Sequence, residues 1–144
     1  KGKRSTDSFH RELGKLLWDH CGMGRNEQGL KHCLERIPAI REEFWRDVKV
    51  VGTGNRLNQE LEKAGRVADF IELGEVMILD ALDRRESAGA HFRNEYATEA
   101  GEAKRNDDDW CAVSAWETRA DGTKVRHSEP LSFSLIDLQV RDYL

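Results

Sequence analysis

Three runs of apolar residues at three- and four-residue spacing govern what this chain can fold into. Phe9, Leu13, Leu16, Leu17 and Trp18 predict an amphipathic helix over roughly residues 8–22. Asp7 and Ser8 are suited to open it, and Gly22-Met23-Gly24 to close it. Asn26 can cap a second helix carrying Leu30, Cys33, Leu34, Ile37, Ile40, Phe44 and Val48. Pro38 lies within that pattern and predicts a kink or brief interruption near Ile37. Asn58 can cap a third helix over roughly 59–83, about 37 Å long at 1.5 Å per residue. Its stripe is Leu61, Ala64, Val67, Ala68, Ile71, Met77, Ile78, Ala81 and Leu82. Gly65 and Gly74 lower its helix propensity and permit close approach of a neighbour. Three such helices with short joins imply an antiparallel three-helix bundle, spectrin-repeat-like in layout.

The period changes after Leu82. Residues 97–109 are polar and loop-like, and 110–117 alternate imperfectly. Asp121-Gly122 is a hairpin turn signal. Residues 124–128 and 131–136 can return as strands, with Pro130 marking a break or an edge. The predicted fold is therefore mainly α: the bundle, a polar loop and a small C-terminal β-hairpin. Residues 1–96 form the bundle plus a loop, and 97–144 pack on it as part of one structural domain.

Composition excludes several roles. Net charge is −4, from 27 acidic against 23 basic residues, so no global field favours nucleic acid, which is not expected as a partner. No apolar stretch approaches the ~20 residues that span a bilayer, and no signal peptide is visible. Three cysteines are an odd number without framework spacing, which points to a reducing compartment. The opening Lys1-Gly2-Lys3-Arg4 suits a piece of a longer protein as naturally as a mature chain.

Candidate chemistry is sparse. His20-Cys21 recurs as His32-Cys33, but adjacent side chains on a helix diverge by about 100° and no zinc spacing appears. The cysteines read as core residues, and no metal site is assigned. Val50-Val51-Gly52-Thr53-Gly54-Asn55 lacks the third glycine of a dinucleotide loop and reads as a connector. Asp107-Asp108-Asp109 has no EF-hand spacing and reads as a solvated or capping cluster. No nucleophile elbow or Ser/His/Asp set stands out. Catalytic and cofactor-binding residues are both expected to be absent from this chain.

Several stretches nevertheless carry a family likeness. They are Phe9-His10-Arg11-Glu12-Leu13-Gly14-Lys15-Leu16-Leu17-Trp18-Asp19 with Cys21-Gly22-Met23, then Asn58 to Phe70, then Arg85-Glu86-Ser87-Ala88-Gly89-Ala90-His91-Phe92-Arg93, then Arg105-Asn106-Asp107-Asp108. In this order they resemble the C-terminal helical domain of the flavoprotein subunit of succinate dehydrogenase and fumarate reductase. Ala88 stands where the family loop carries arginine. L-aspartate oxidase has a similar bundle, but Phe9–Met23 fits the dicarboxylate dehydrogenases better. The resemblance implies a whole subunit that binds FAD and interconverts succinate and fumarate, with its glycine loop, flavin attachment and substrate residues upstream of this chain. It also implies an iron–sulfur subunit as partner, a membrane anchor beyond it, and a peripheral position on the cytoplasmic face.

Arg84, Arg85, Glu86, Ser87, Gly89, His91 and Arg93 are the interdomain docking candidates. Three guanidiniums provide fork-shaped donors, Glu86 and Ser87 return acceptors, and Gly89 permits a positive φ. One reading places His91 and Arg93 near the flavin. The preferred reading has the loop lock the bundle onto the FAD-binding domain through pairs of the Arg85–Glu86 kind. The separated domain would then expose that surface and associate with itself. The alternative from another class is a free-standing helical interaction module without catalysis.

Overall fold

A computed structural model describes residues 2–54 and 56–139. The elements run β1 (Arg4–Ser5), α1 (Thr6–Cys21), α2 (Glu27–Asp47), β2 (Val48–Lys49), α3 (Gln59–Asp83), a 3-10 turn (Asn94–Tyr96), α4 (Asp107–Trp110), β3 (Ala112–Thr118) and β4 (Lys124–Pro130). The predicted mainly α fold with a closing hairpin is the one observed. The chain divides into two compact units at Asp83/Arg84, so residues 84–96 group with the hairpin segment, whereas the sequence reading draws its boundary at 96/97.

In the first unit each long helix begins where a short polar side chain can accept an orphan amide. Asn26 Oδ1 accepts from the Gly29 amide at 2.8 Å, and Asn58 Oδ1 accepts from Glu60 and Leu61 at 3.1 and 3.2 Å. The first helix starts earlier than predicted. Ser5 is its cap, accepting from the Ser8 amide at 3.3 Å, so Asp7 and Ser8 lie inside the helix.

The core is made of Phe9, Leu13, Leu30, Cys33, Ile37, Ile40, Phe44, Val67, Ile71 and Ile78, all buried. Phe9 and Phe44 meet edge-on at 5.3 Å, a favoured aromatic geometry. The helices run up, down, up. Arg4 and Ser5 pair in parallel with Val48 and Lys49, which places the start of α1 beside the end of α2. Arg41 on α2 reaches Glu72 and Glu75 on α3 at 2.5 and 2.7 Å. A Cβ on Gly74 would stand 3.3 Å from Leu17 Cδ1 of α1, so this glycine sits at a close helix contact. Gly65 meets nothing and has no such role.

Three expectations need correction. Trp18 is 82% exposed instead of part of the core stripe. It continues the line His10–Gly14–Trp18, one helical step away from Phe9–Leu13. Leu61 and Met77 are likewise exposed. Helix α2 runs without interruption through Pro38, because buried Ile37 and Ile40 hold the turns on either side while the proline itself faces solvent.

In the second unit β3 and β4 pair antiparallel from Ala112↔Pro130 to Thr118↔Lys124. The turn closes by Arg119 N–H to the Thr123 carbonyl at 2.9 Å, with Gly122 at φ +85°. Only glycine enters that region freely, so the Asp-Gly signal is decisive. The two predicted returning strands are one. Residues 131–136 form no strand: the Leu131 amide still donates to the Cys111 carbonyl at 2.9 Å, but the Cys111 amide is taken by Asp107 of α4, so the partner strand has ended there.

Two outcomes test this packing. Pro38→Ala restores an amide to an exposed helix interior and is expected to stabilise by about 1–3 kcal/mol in urea unfolding. Burial pushes the Cys33 thiol up to about 11, and neighbouring Cys21 adds to it. The neutral thiol is the form that fits the fold, so its contribution is complete below the ordinary thiol value of 9.0 and is lost as pH rises toward about 11. At pH 8, iodoacetamide followed by mass spectrometry is expected to label half-buried Cys111 before Cys21 or Cys33.

Candidate functional site

The segment 84–110 has to dispose of two charged side chains out of water. Glu86 and Arg93 are each 2% exposed, and Ser87 between them is fully buried. A buried charge is tolerable only when paired and hydrogen-bonded. Arg84 Nε donates to Glu86 Oε1 at 2.8 Å, and the Asn106 amide donates to Oε2 at 2.9 Å. Arg84 Nη2 also donates to the Trp110 carbonyl at 2.8 Å. Glu86 thus ties the segment before the loop to the start of α4.

Ser87 closes the loop. Its hydroxyl accepts from the Arg93 amide at 2.8 Å and donates to the Arg93 carbonyl at 3.1 Å. Its own amide donates to the Lys104 carbonyl at 2.9 Å. Ala88 and His91 exchange backbone hydrogen bonds of 2.8 and 3.0 Å across a turn whose Gly89 has φ +58°. A Cβ on Gly89 would touch nothing, so the requirement is one of backbone conformation. His91 Nε2–H donates to the Arg84 carbonyl at 3.3 Å. Arg93 Nε donates to Glu95 at 3.1 Å, with its guanidinium 5.3 Å from the Tyr96 ring centre.

The seven candidates therefore separate. Arg84, Glu86, Ser87, His91 and Arg93 form one internally satisfied knot. Arg85 and Gly89 face solvent, and Arg85 makes no hydrogen bond or ion pair among the described residues. It is Arg84, rather than Arg85, that pairs with Glu86. Sequence reasoning misses Asn106, Trp110 and Tyr96 as parts of the knot. Trp110 also serves as more than a hairpin residue, since Arg84 and Arg126 lie 5.8 and 4.9 Å from its ring centre. The one available signal is the density of arginine on either side of two lone aromatics.

Other candidates are accounted for locally. Asp107 accepts from Arg105 at 2.6 and 2.9 Å, and Asp109 from Asn106 at 2.9 Å. Cys21 and Cys33 point into the core, while His20 and His32 meet outside it with ring centres 5.1 Å apart. Among the described residues no three His, Cys, Asp or Glu side chains gather as a metal site. The connector at 50–54 leads toward α3, and Asn55 lies outside the described residues. The α3 amides at Glu60 and Leu61 are already taken by Asn58. The start of α3 therefore has these two amides already occupied rather than free for an anion.

Residues 10–143 match the family described as fumarate reductase flavoprotein C-term. The chain belongs to that family. The succinate dehydrogenase flavoprotein subunit of Bacillus subtilis is 25% identical over 152 residues, which cover 99% of this chain and 23% of that protein. An uncharacterized FAD-dependent oxidoreductase of Methanocaldococcus jannaschii is 31% identical over 96 residues, 67% of this chain and 17% of that protein. Among solved structures, a quinol fumarate reductase chain of E. coli superposes with TM-score 0.80 at 22% identity, covering 95% of this chain and 23% of that chain. The family member described here thus spans less than a quarter of the length of these relatives.

The knot makes an unequal prediction for neighbouring residues. Glu86→Ala strands Arg84 and the Asn106 amide, and is expected to cost about 3 kcal/mol. Arg85→Ala is expected to stay within about 0.5 kcal/mol. Chemical denaturation followed by tryptophan fluorescence checks both, and equal effects would disprove the arrangement.

Proposed function

We propose that this chain is the C-terminal part of an FAD-dependent subunit that interconverts succinate and fumarate, and that its task is to brace the flavin-binding part. The observation that carries the reading is the family match across residues 10–143. When bound, the flavin supplies a hydride acceptor or donor. The helix starts of this chain offer it little, since their capping positions are already filled. The first-turn amides of Ser8, Gly29, Glu60 and Leu61 are capped by the chain's own Ser5, Asn26 and Asn58. No step through the flavin is therefore assigned to this chain, and the chemistry belongs to the rest of the subunit.

The bracing role rests on what is left over at the surface. Arg93 is consumed internally, which favours docking over direct action on flavin or substrate. Arg85, Gly89 and Ala90 are exposed at the turn and offer one uncommitted guanidinium beside a bare backbone. On the bundle, Trp18 and Trp45 are 82% and 69% exposed, with Phe70, Leu73 and Met77 also outward. Such a surface suits an interface, and a chain spanning under a quarter of its relatives' length has much of an interface to supply. An iron–sulfur subunit and, through it, a membrane anchor complete the proposed assembly. No helix among the described residues is long and apolar enough to cross a membrane. In the proposed assembly attachment is through those partners, on the cytoplasmic face.

The test is complementation. The flavin-binding remainder and this chain are produced as separate polypeptides and mixed, and succinate-dependent dye reduction is measured, with L-aspartate as the competing substrate. Activity is expected with succinate and only from the mixture. Turnover by this chain alone, or full activity of the remainder without it, would overturn the proposal. Arg85→Glu is expected to weaken reassembly severalfold while leaving the chain folded.

A further inference from the structure

The ends of α1 and α2 hold a pair of histidines with no assigned role. His20 lies in the last turn of α1 and His32 in the second turn of α2. Their rings meet edge-on, with centres 5.1 Å apart and planes at 69°. Neither imidazole makes a hydrogen bond or ion pair among the described residues. His32 is exposed and His20 half-buried, so water and ions reach both.

We propose that His20 and His32 form a two-point chelate for a borderline divalent transition ion such as Cu2+, Ni2+ or Zn2+. The spacing of the two rings suits this. Imidazole nitrogens bind such ions at about 2.0–2.1 Å, which sets each ring centre about 3 Å from the metal. At a tetrahedral angle two such rings stand about 5 Å apart, which is the spacing observed. The helices already stand at the right separation, and the two rings turn about their side-chain torsions to bring one nitrogen of each to the ion.

The surroundings select the ion class. The groove beside the pair is lined by Asn26, Gln28 and Gly29 and has a volume of about 430 Å³, room for the ion with its remaining waters. Gln28 lines the same groove one helical turn before His32, on the same face of α2, and supplies the third ligand in this proposal. Gly29 is what lets His20 approach, because a Cβ there would stand 3.1 Å from His20 Nδ1. The neighbouring thiols are withheld. Cys33 is fully buried and Cys21 nearly so, which removes the soft ligands that would favour Cu(I). An imidazole pair with an amide oxygen instead suits divalent ions, with Cu2+ the tightest in the usual order. The proposal does not depend on the reading of the parent enzyme.

The site joins two helix ends across the Gly22–Arg25 turn, so occupancy should be felt as stability. The experiment uses the purified protein without a polyhistidine tag. Zn2+ is titrated by calorimetry, and Cu2+ is titrated while the NMR signals of all histidines are followed. One Zn2+ is expected per chain, with a raised unfolding midpoint, and Cu2+ should broaden His20 and His32 first. His20→Ala and His32→Ala should each weaken binding by more than the roughly tenfold typical of losing an outer-shell partner. His127→Asn, at a site engaged with Glu117 at 2.8 Å, should leave it unchanged. Broadening centred on His10, His91 or His127, or wild-type protein with no saturable binding, would overturn the assignment. The wild-type broadening pattern decides the matter even if an alanine variant fails to fold.

Discussion

A carboxylate that is 2% exposed cannot be left without partners, and the polar half of this chain is arranged around that fact. Satisfying Glu86 takes a guanidinium from Arg84 and a backbone amide from Asn106. Recruiting Arg84 brings in the Trp110 carbonyl, and the Trp110 ring in turn receives Arg126 from β4. One buried charge thereby fixes a strandless stretch of chain to the beginning of the hairpin. An apolar residue at position 86 would remove the desolvation cost, but it would also release Arg84 and Asn106 from their common point. The charge specifies arrangement more than it adds stability.

The bundle is held differently. Its stability comes from the burial of non-directional apolar surface, and its arrangement comes from where polar groups interrupt that surface. Arg4 illustrates the division. It donates to Glu43 at 3.0 Å and to Ser8 Oγ at 2.9 Å, also pairs with Glu12, and lies 4.0 Å over the ring of buried Phe9. That single side chain joins the strand before α1, α1 itself and α2. Arg41 does the same between α2 and α3. Each is only partly buried, so these contacts set register while the core supplies most of the free energy.

How much of this is legible in the sequence follows from the range of each interaction. Asn26, Asn58 and Asp121-Gly122 act on amides two or three residues away, so their effects can be read from a short window. The parallel contact of Arg4–Ser5 with Val48–Lys49 joins residues 44 apart with two residues on each side, too few for any periodicity to show. Trp18 escapes because periodicity counts apolar residues without asking which helical line the core occupies. The loop is recognisable as a concentration of donors and acceptors, but its pairing is not. Glu86 has arginines at both preceding positions, and only the backbone path decides that Arg84 turns inward and Arg85 outward.

That choice between two adjacent arginines bears on how the loop can serve a larger protein. Groups already paired with one another have little to offer a partner, because binding would first have to break an internal pair. The knot is better understood as the support that holds a small exposed tip in one conformation. Gly89 at φ +58° and the paired Ala88 and His91 fix the turn, and Arg85 is presented beside it without competing acceptors among the described residues. Ala88 holds the turn through its backbone and brings no charge to the tip. Among the described residues the tip presents Arg85 as its exposed guanidinium, so an acidic group meeting the tip would meet that side chain.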